Sequence, residues 1–257
     1  MTNPNRRVLV ISICALIVLL GVAYFSLGAS RLNKPPQQNN SGQAKPKKDQ
    51  GPRQQDVEAR IPTTEYDAAE PTNPEEKIKR KNRNKHYDGK HLVMSNPTNS
   101  GSGVARRSAV FDSLPALPVT ESDVILTADV LNSEAHLSND KTGVYSEFTI
   151  QVDTVLKGGI PPTLLQSNLV SISRFGGKVR YPSGRTLTYE IAGQNMPGTG
   201  KKYLFFLKAA EDSFEIITGY EIGVTVESLD FSPQFQALNG TDQVELINKV
   251  KQALANQ

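Results

Sequence analysis

The residues whose types best suit ligand binding lie in one short stretch that contains a glycine pair and a Pro-Ser-Gly turn. It gathers four basic and two tyrosine side chains: Arg174, Lys178, Arg180, Tyr181, Arg185 and Tyr189. Guanidinium groups and tyrosine rings can stack on a sugar or nucleotide and hydrogen-bond an acidic peptide. Strand alternation alone also puts basic side chains on a solvent-facing surface. The stretch is therefore a ligand-binding hypothesis, and an ordinary strand pair is the alternative.

Two catalytic motifs can be matched to the chain, and neither keeps its required context. Ser138 and Lys141 have the S-x-x-K spacing of penicillin-binding enzymes, and Lys141 also begins a K-T-G sequence. Those two motifs belong on separate elements, whereas here they share one lysine. The stretch from Gly198 to Lys202 lacks the first glycine and the Ser/Thr of a phosphate loop. We assign no catalytic residue from the sequence.

The histidines and the single cysteine do not form a metal motif. His86, His91 and His136 include no i, i+4 pair, and Cys14 lies in an apolar run. We therefore expect no metal site and no cofactor. A hydrolase or transferase that uses groups such as Glu134, His136 and Asp140 is the enzymatic alternative.

The elements that must position these residues are strands followed by one helix. Val144, Phe148, Ile150 and Val152 alternate with polar residues, which is typical of a half-buried strand. Further apolar runs predict strands at residues 124–131, 169–175, 202–207 and 214–218, and a hairpin around residues 182–184. Apolar residues at helical spacing predict a C-terminal helix over residues 241–255.

These elements predict an all-β to α+β domain at residues 119–257: a small antiparallel β-barrel (OB-like) or sandwich with a C-terminal helix. The runs Ser122–Val130, Phe148–Gly158, Gly200–Leu207 and Phe214–Gly219 resemble bacterial secreted domains of unknown function. They are also similar to the OB-fold barrel of the netrin/tissue-inhibitor-of-metalloproteinase group. The resemblance implies the fold only, because those inhibitors act through an N-terminal cysteine that this chain lacks.

The N-terminal part is predicted to be a membrane anchor. Residues 8–29 carry no charge and are long enough for a transmembrane helix, with residues 1–7 as a cytoplasmic tail. A signal peptide that is cleaved, giving a secreted protein, is the alternative. The lipid bilayer is thus the partner of residues 8–29, and we expect residues 31–257 outside the cytoplasm.

Residues 30–118 are rich in Pro, Gln, Asn and Lys and show no apolar period, so they are predicted to form a disordered spacer. Residues 1–118 hold 18 Lys/Arg against 10 Asp/Glu (+8), and residues 119–257 hold 11 against 16 (−5). One cluster in the spacer predicts an electrostatic patch for anionic lipid, wall polymer or nucleic acid: Lys77, Lys79, Arg80, Lys81, Arg83, Lys85 and Lys90. A solvated spacer is the alternative.

Together these features indicate a single-pass, membrane-anchored, non-enzymatic binding or interaction domain of the cell envelope. A protein or a cell-wall polymer is the expected partner, and the missing aromatic pattern argues against nucleic acid. The enzymatic alternative above and a structural subunit of an envelope complex stay open.

Overall fold

The computed structural model describes residues 60–90, 102–107 and 114–257. Five long strands in the C-terminal part provide its centre: β3 (Val124–Leu137), β4 (Val144–Lys157), β5 (Leu169–Phe175), β8 (Lys202–Ala209) and β9 (Phe214–Ile222). The strands predicted at these places are confirmed, although most of them run several residues further than their apolar runs.

The pairings of these five strands close on themselves. β3 pairs antiparallel with β4 and with β8, β4 pairs antiparallel with β5, and β8 pairs antiparallel with β9. A short parallel pairing, in which Ile172 and Ser173 lie opposite Phe214 and Glu215, joins β5 to β9 and completes the ring. The short strand β10 (Val226–Ser228) extends β9.

The ring has an apolar interior and a second apolar layer on one outer side. Leu126, Val130, Phe148 and Ile172 are among the buried residues of the interior cluster. The opposite faces of β3, β8 and β9 pack against helix α3 (Gln243–Ala255), which buries Leu246 and Val250. Asp242 caps that helix by accepting a hydrogen bond from the Glu245 backbone N–H at 2.8 Å. Val244 of the same helix is 67% exposed. A short helix α2 (Pro233–Gln236) precedes α3.

A second sheet of four strands is built around the predicted hairpin. Strands β6 (Gly177–Arg180) and β7 (Thr186–Ile191) are antiparallel, as predicted. Strand β1 (Thr63–Glu65) pairs parallel with β6, and strand β2 (Gly103–Arg107) pairs parallel with β7. Only Gly176 separates β5 from β6. Its φ of +111° favours glycine, and this conformation lets the chain leave the ring for the second sheet.

The prediction of a disordered spacer over residues 30–118 is wrong for residues 60–90 and 102–107. These residues form β1, β2 and the helix α1 (Pro74–His86). The strands β1 and β2 are ordered by pairing with the hairpin, and α1 is ordered by polar contacts with the ring. These interactions need no regular spacing of apolar residues, so the sequence shows no apolar period. The rest of the spacer and the membrane-anchor prediction at residues 8–29 lie outside the described residues.

Candidate functional site

Helix α1 begins with strong local signals. Asn73 caps it by accepting a hydrogen bond from the Glu75 backbone N–H at 2.9 Å, and Pro74 occupies its first turn. Glu75 and Glu76 lie in the first turn and basic residues in the last, which suits the helix dipole. No residue of the helix is buried. Its position therefore depends on contacts made by polar side chains.

The helix lies on the outer face of β4 and β5. Phe148 and Ile172 point into the ring, so their neighbours Glu147 and Ser173 point outward, and these two residues lie opposite each other in the register. The α1 side faces them with four residues at helical spacing i, i+3, i+4 and i+7: Arg80, Arg83, Asn84 and Tyr87.

Glu147 is the centre of the polar contacts. Its carboxylate accepts hydrogen bonds from Arg83 Nη1 at 2.7 Å and from Arg80 Nη1 at 3.2 Å. Burial alone would raise the pKa of Glu147, but the Coulomb attraction of the two guanidinium groups outweighs burial and lowers it. The carboxylate is thus held ionised, and each of its two oxygens accepts a hydrogen bond from a different arginine.

Aromatic contacts surround this charged centre. The rings of Tyr87 and Tyr145 stack with their centroids 4.2 Å apart, and Tyr87 Oη donates to Ser173 Oγ at 2.9 Å. Tyr145 Oη donates to Asn84 Oδ1 at 2.8 Å. Burial raises the pKa of Tyr145 to about 12 and that of Tyr87 further, so both hydroxyls are neutral donors.

Two turns of the ring complete the contacts. In the β3–β4 turn (residues 138–143), Asp140 accepts a hydrogen bond from the Gly89 backbone N–H at 2.7 Å, and Asn139 Nδ2 donates to the Lys81 carbonyl at 2.9 Å. In the β8–β9 turn (residues 210–213), Asp212 lies 3.4 Å from Arg83 Nε. We call Tyr145, Glu147, Ser173 and these two turns the docking surface.

A cavity of about 270 Å³ lies beside the helix. Arg83, His86 and Tyr87 line it from the helix side, and Ser173 and Asp212 line it from the docking surface. The docking surface therefore extends beyond the part that the helix covers.

His136 is a neighbour of this centre. Its ring centroid lies 5.4 Å from that of Tyr145, and its Nε2 has no hydrogen-bond partner among the described residues. Burial, together with repulsion from Arg80 and Arg83, lowers the pKa of His136 to about 4. The imidazole is therefore neutral at ordinary pH.

The other residues of the enzymatic alternative stabilise the β3–β4 turn or are exposed to solvent. Glu134 is 60% exposed, with its carboxylate 3.7 Å from His136 Nε2. Desolvation would raise the pKa of Asp140, but hydrogen bonds from Ser138, Thr142 and Gly89 outweigh it and lower that pKa. Ser138 of the S-x-x-K match is buried and donates to Asp140 at 2.7 Å. Ser138 and Asp140 thus stabilise the β3–β4 turn.

The basic cluster is divided by the helix into two faces. Arg80 and Arg83 bind the docking surface, and Lys90 Nζ lies 4.6 Å from the Tyr87 ring centroid. The remaining members are exposed, Lys77 forming an ion pair with Glu70: Lys77, Lys79, Lys81 and Lys85. The sequence identified the charges, but the solvated-spacer alternative missed that two of them bind Glu147.

The ligand-binding stretch around the hairpin is likewise divided. Arg174 is buried and donates to Asp230 at 2.7 Å and to the Asn195 carbonyl at 2.5 Å. Arg174 belongs to β5 and its guanidinium points toward a buried carboxylate, so it does not lie at the surface with the other basic residues of the stretch. Tyr189 is 2% exposed and belongs to the core beneath the second sheet.

The other four residues lie at or near the surface of the second sheet. Arg180 is exposed and forms an ion pair with Glu65 of β1, and the Tyr181 ring stacks on that of Tyr66 with 5.0 Å between centroids. Lys178 and Arg185 are half-buried. β1 pairs with β6, and β2 pairs with β7. The hairpin that contains these four residues is therefore the middle of a four-stranded sheet and is not free.

A second cavity of about 150 Å³ lies near the loop after β10. Arg60, Tyr203 and Glu221 line it, with the half-exposed Phe231. Glu221 accepts hydrogen bonds from Arg60 at 3.1 Å and from Tyr203 Oη at 3.2 Å, so its carboxylate is already paired.

Comparison with protein-family models and with curated proteins finds no match for this chain. Within residues 60–90, 102–107 and 114–257, no helix is long and apolar enough to cross a membrane.

Proposed function

We propose that the folded part of this chain is a non-enzymatic binding module of OB-barrel type, and that its docking surface recognises a polypeptide. The ring order β3-β4-β5-β9-β8, with its parallel β5–β9 pairing, supports the OB type. Barrels of this type bind ligands on the face of their second and third strands and on the loops after the first and fourth strands.

The observation that carries the proposal is that the docking surface already holds a polypeptide segment. Its strands β4 and β5 and both of its turns contact residues 80–89 through Glu147, Ser173, Asp140 and Asp212. These contacts combine an ionised carboxylate, neutral hydroxyl groups and a stacked aromatic ring. This chemistry suits a polypeptide that carries arginine and tyrosine.

Photo-crosslinking in cells that produce the full chain tests this function. A photoreactive residue is placed at Asn139 and, separately, at Glu211, which lie on the two turns, and at the exposed Gln252 of α3 as the control. We expect a crosslinked polypeptide of discrete mass from both turns, lost when Glu147→Gln is added. Crosslinks equal to those from Gln252, or crosslinks that Glu147→Gln leaves unchanged, would overturn the proposal.

We further propose that the module belongs to the cell envelope, anchored by residues 8–29 with residues 31–257 outside the cytoplasm. The uncharged run supports this proposal, and secretion after cleavage of a signal peptide is its alternative. Tags at each end, with protease added to intact cells, test the orientation. A C-terminal tag that is protected from the protease would contradict it.

A further inference from the structure

We infer that α1 is a built-in competitor for the docking surface, and that the partner is a cationic helix of another polypeptide that displaces α1. This inference rests on the proposed function and names its ligand class and regulation. The partner helix would present two arginines three positions apart, followed by a tyrosine one turn later, in the arrangement of Arg80 and Arg83 of α1 and the buried Tyr87 that directly follows it.

The contacts between α1 and the docking surface are mostly polar, which supports the displacement of α1 by another helix. No residue of α1 is buried, and its one large aliphatic side chain, Ile78, is 62% exposed. The helix is held by two arginines, one asparagine and the tyrosine that follows it. The ion pairs of Arg80 and Arg83 with Glu147 are partly exposed and therefore weakened by salt, and the buried side chain of the segment is Tyr87, whose place the tyrosine of the partner would take.

Charge complementarity defines the partner. The docking surface offers Glu147, Asp140 and Asp212 to the helix, and residues 119–257 carry a net charge of −5. Of the seven basic side chains in residues 77–90, Arg80 and Arg83 bind Glu147, and four lysines are exposed. A partner that displaces this segment must supply the two positive charges, because removing α1 leaves the ionised Glu147 without its cations.

The cavity beside α1 shows that the helix does not fill the surface. Asp212 and Ser213 of the β8–β9 turn face this cavity of about 270 Å³. A partner with larger side chains at these positions gains contacts that α1 does not make. This difference allows a separate polypeptide to compete with a helix that is covalently attached.

The covalent attachment of α1 determines by how much it weakens the binding of a free helix. A segment joined by a short linker acts at an effective concentration in the millimolar range. If a free helix binds an open docking surface with a Kd of about 100 µM, the attached helix occupies about nine tenths of the molecules, and the free helix binds about tenfold more weakly. Removing the arginines of α1 should therefore strengthen binding in trans about tenfold.

The test uses the full chain in a non-ionic detergent and a fluorescent synthetic peptide of residues 70–90. Binding is measured by anisotropy to the wild type, to Arg80→Ser/Arg83→Ser, and to the matched control Lys79→Ser/Lys81→Ser, which removes two exposed charges from the same helix. We expect binding about tenfold tighter to Arg80→Ser/Arg83→Ser than to the other two chains. Adding Glu147→Gln should abolish it, and a peptide with serine at both arginine positions should not bind.

The outcomes separate this inference from the proposed function. Equal binding to all three chains, abolished by Glu147→Gln, would overturn the competitor role and keep the docking surface as a binding site. Absence of binding to any folded chain would overturn the cationic-helix partner, and the crosslinks from the two turns would then decide the proposed function alone. Dimers of the wild type that exchange α1 would make a second copy the partner and also overturn the inference.

Hydrogen exchange of the wild type gives a second measurement should the arginine variant fail to fold. Raising NaCl from 0.05 to 0.5 M should speed exchange of α1 amides at least tenfold while β4 amides stay protected. Simultaneous loss of protection in α1 and β4 would show that the helix is an integral part of the domain, and the inference would fail.

Discussion

Arg83 donates a 2.7 Å hydrogen bond to Glu147 across 64 residues of sequence. The arginine comes from a basic, proline-flanked segment, and the glutamate comes from the best alternating strand of the chain. Neither of these two sequence segments predicts a contact with the other. Because the carboxylate also accepts from Arg80, one acidic residue fixes the position of a helix that buries no residue of its own.

Glu147→Gln should release α1. The amide keeps the shape of the side chain but removes the charge that holds two guanidinium groups, so we expect the domain to lose about 1–3 kcal/mol of unfolding free energy. Urea denaturation at low salt measures this loss. Glu211→Gln, at an exposed site on the β8–β9 turn, is the matched control and should change stability by less than about 0.5 kcal/mol. Equal effects of the two variants would contradict the assigned role of Glu147.

The pair of Tyr87 and Ser173 should contribute a measurable hydrogen bond. Tyr87→Phe removes the hydroxyl that donates to Ser173 Oγ at 2.9 Å in a buried site, and we expect a loss of about 1 kcal/mol. A double-mutant cycle with Ser173→Ala measures the coupling, which should fall near 0.5–1.5 kcal/mol. Additive losses would show that the two hydroxyls act independently.

The stability of the domain should depend on pH through His136. The pKa of His136 is about 4 in the folded chain against 6.5 for an ordinary histidine, so the unfolded chain takes up the proton first as the pH falls. The stabilisation is therefore complete above about pH 6.5 and is lost between pH 6.5 and 4, amounting to roughly 2–3 kcal/mol.

Denaturation midpoints at pH 7, 6, 5 and 4 measure this loss. His136→Gln should flatten the dependence between pH 6.5 and 4.5, whereas the exposed His86→Gln should keep it. Below about pH 4.5 both variants should still lose stability, because the pKa of Glu147 is lowered in the folded chain and its carboxylate must then take up a proton. An unchanged pH profile for His136→Gln would refute the assignment.

Removing one partner of the buried Arg174–Asp230 pair should be the most damaging change. Asp230 accepts from Arg174, from Thr218 at 2.8 Å and from the Asn195 backbone N–H at 3.2 Å, and it is fully buried. Asp230→Ala leaves a buried guanidinium without its counter-ion, and we expect a loss of about 3–5 kcal/mol by urea denaturation. Exposed Asp67→Ala is the control. A loss below about 1 kcal/mol would show that water or another acceptor replaces the carboxylate.

Gly158→Ala should destabilise the domain by far more than Gly184→Ala. Both glycines have positive φ, +73° and +80°. A Cβ at Gly158 would lie 2.1 Å from the Asp123 carbonyl oxygen, whereas a Cβ at Gly184 meets no atom of the described residues within 4 Å. The two changes share the strain of φ, about 1 kcal/mol, and only Gly158→Ala adds a backbone clash, so we expect at least a further 2 kcal/mol. Thermal unfolding of both variants measures the difference.

Local patterns in the sequence predicted the β-rich part well. Strand alternation in residues 144–152, the apolar run at residues 202–207 and the helical spacing in residues 241–255 each follow from neighbours in the chain, and the structure has elements at all three places. Such signals are local because alternation, helical period and caps depend on residues only a few positions apart. The same local reasoning missed α1, although the sequence from Asn73 to Glu76 contains a cap, an N-terminal proline and acidic first-turn residues.

The tertiary structure alone decided which charged residues work together. The sequence grouped Arg174 with the hairpin residues and Arg80 with the basic cluster of the spacer, but the first is paired with Asp230 in the core and the second binds Glu147. An ion pair needs only the proximity of two side chains, and proximity across 50 to 70 residues is set by how the strands close into a ring. Local sequence patterns specified the strands of the ring, the hairpin and the C-terminal helix, whereas the fold specified β1, β2 and the partners of the charged residues, because pairing energy depends on distance in space.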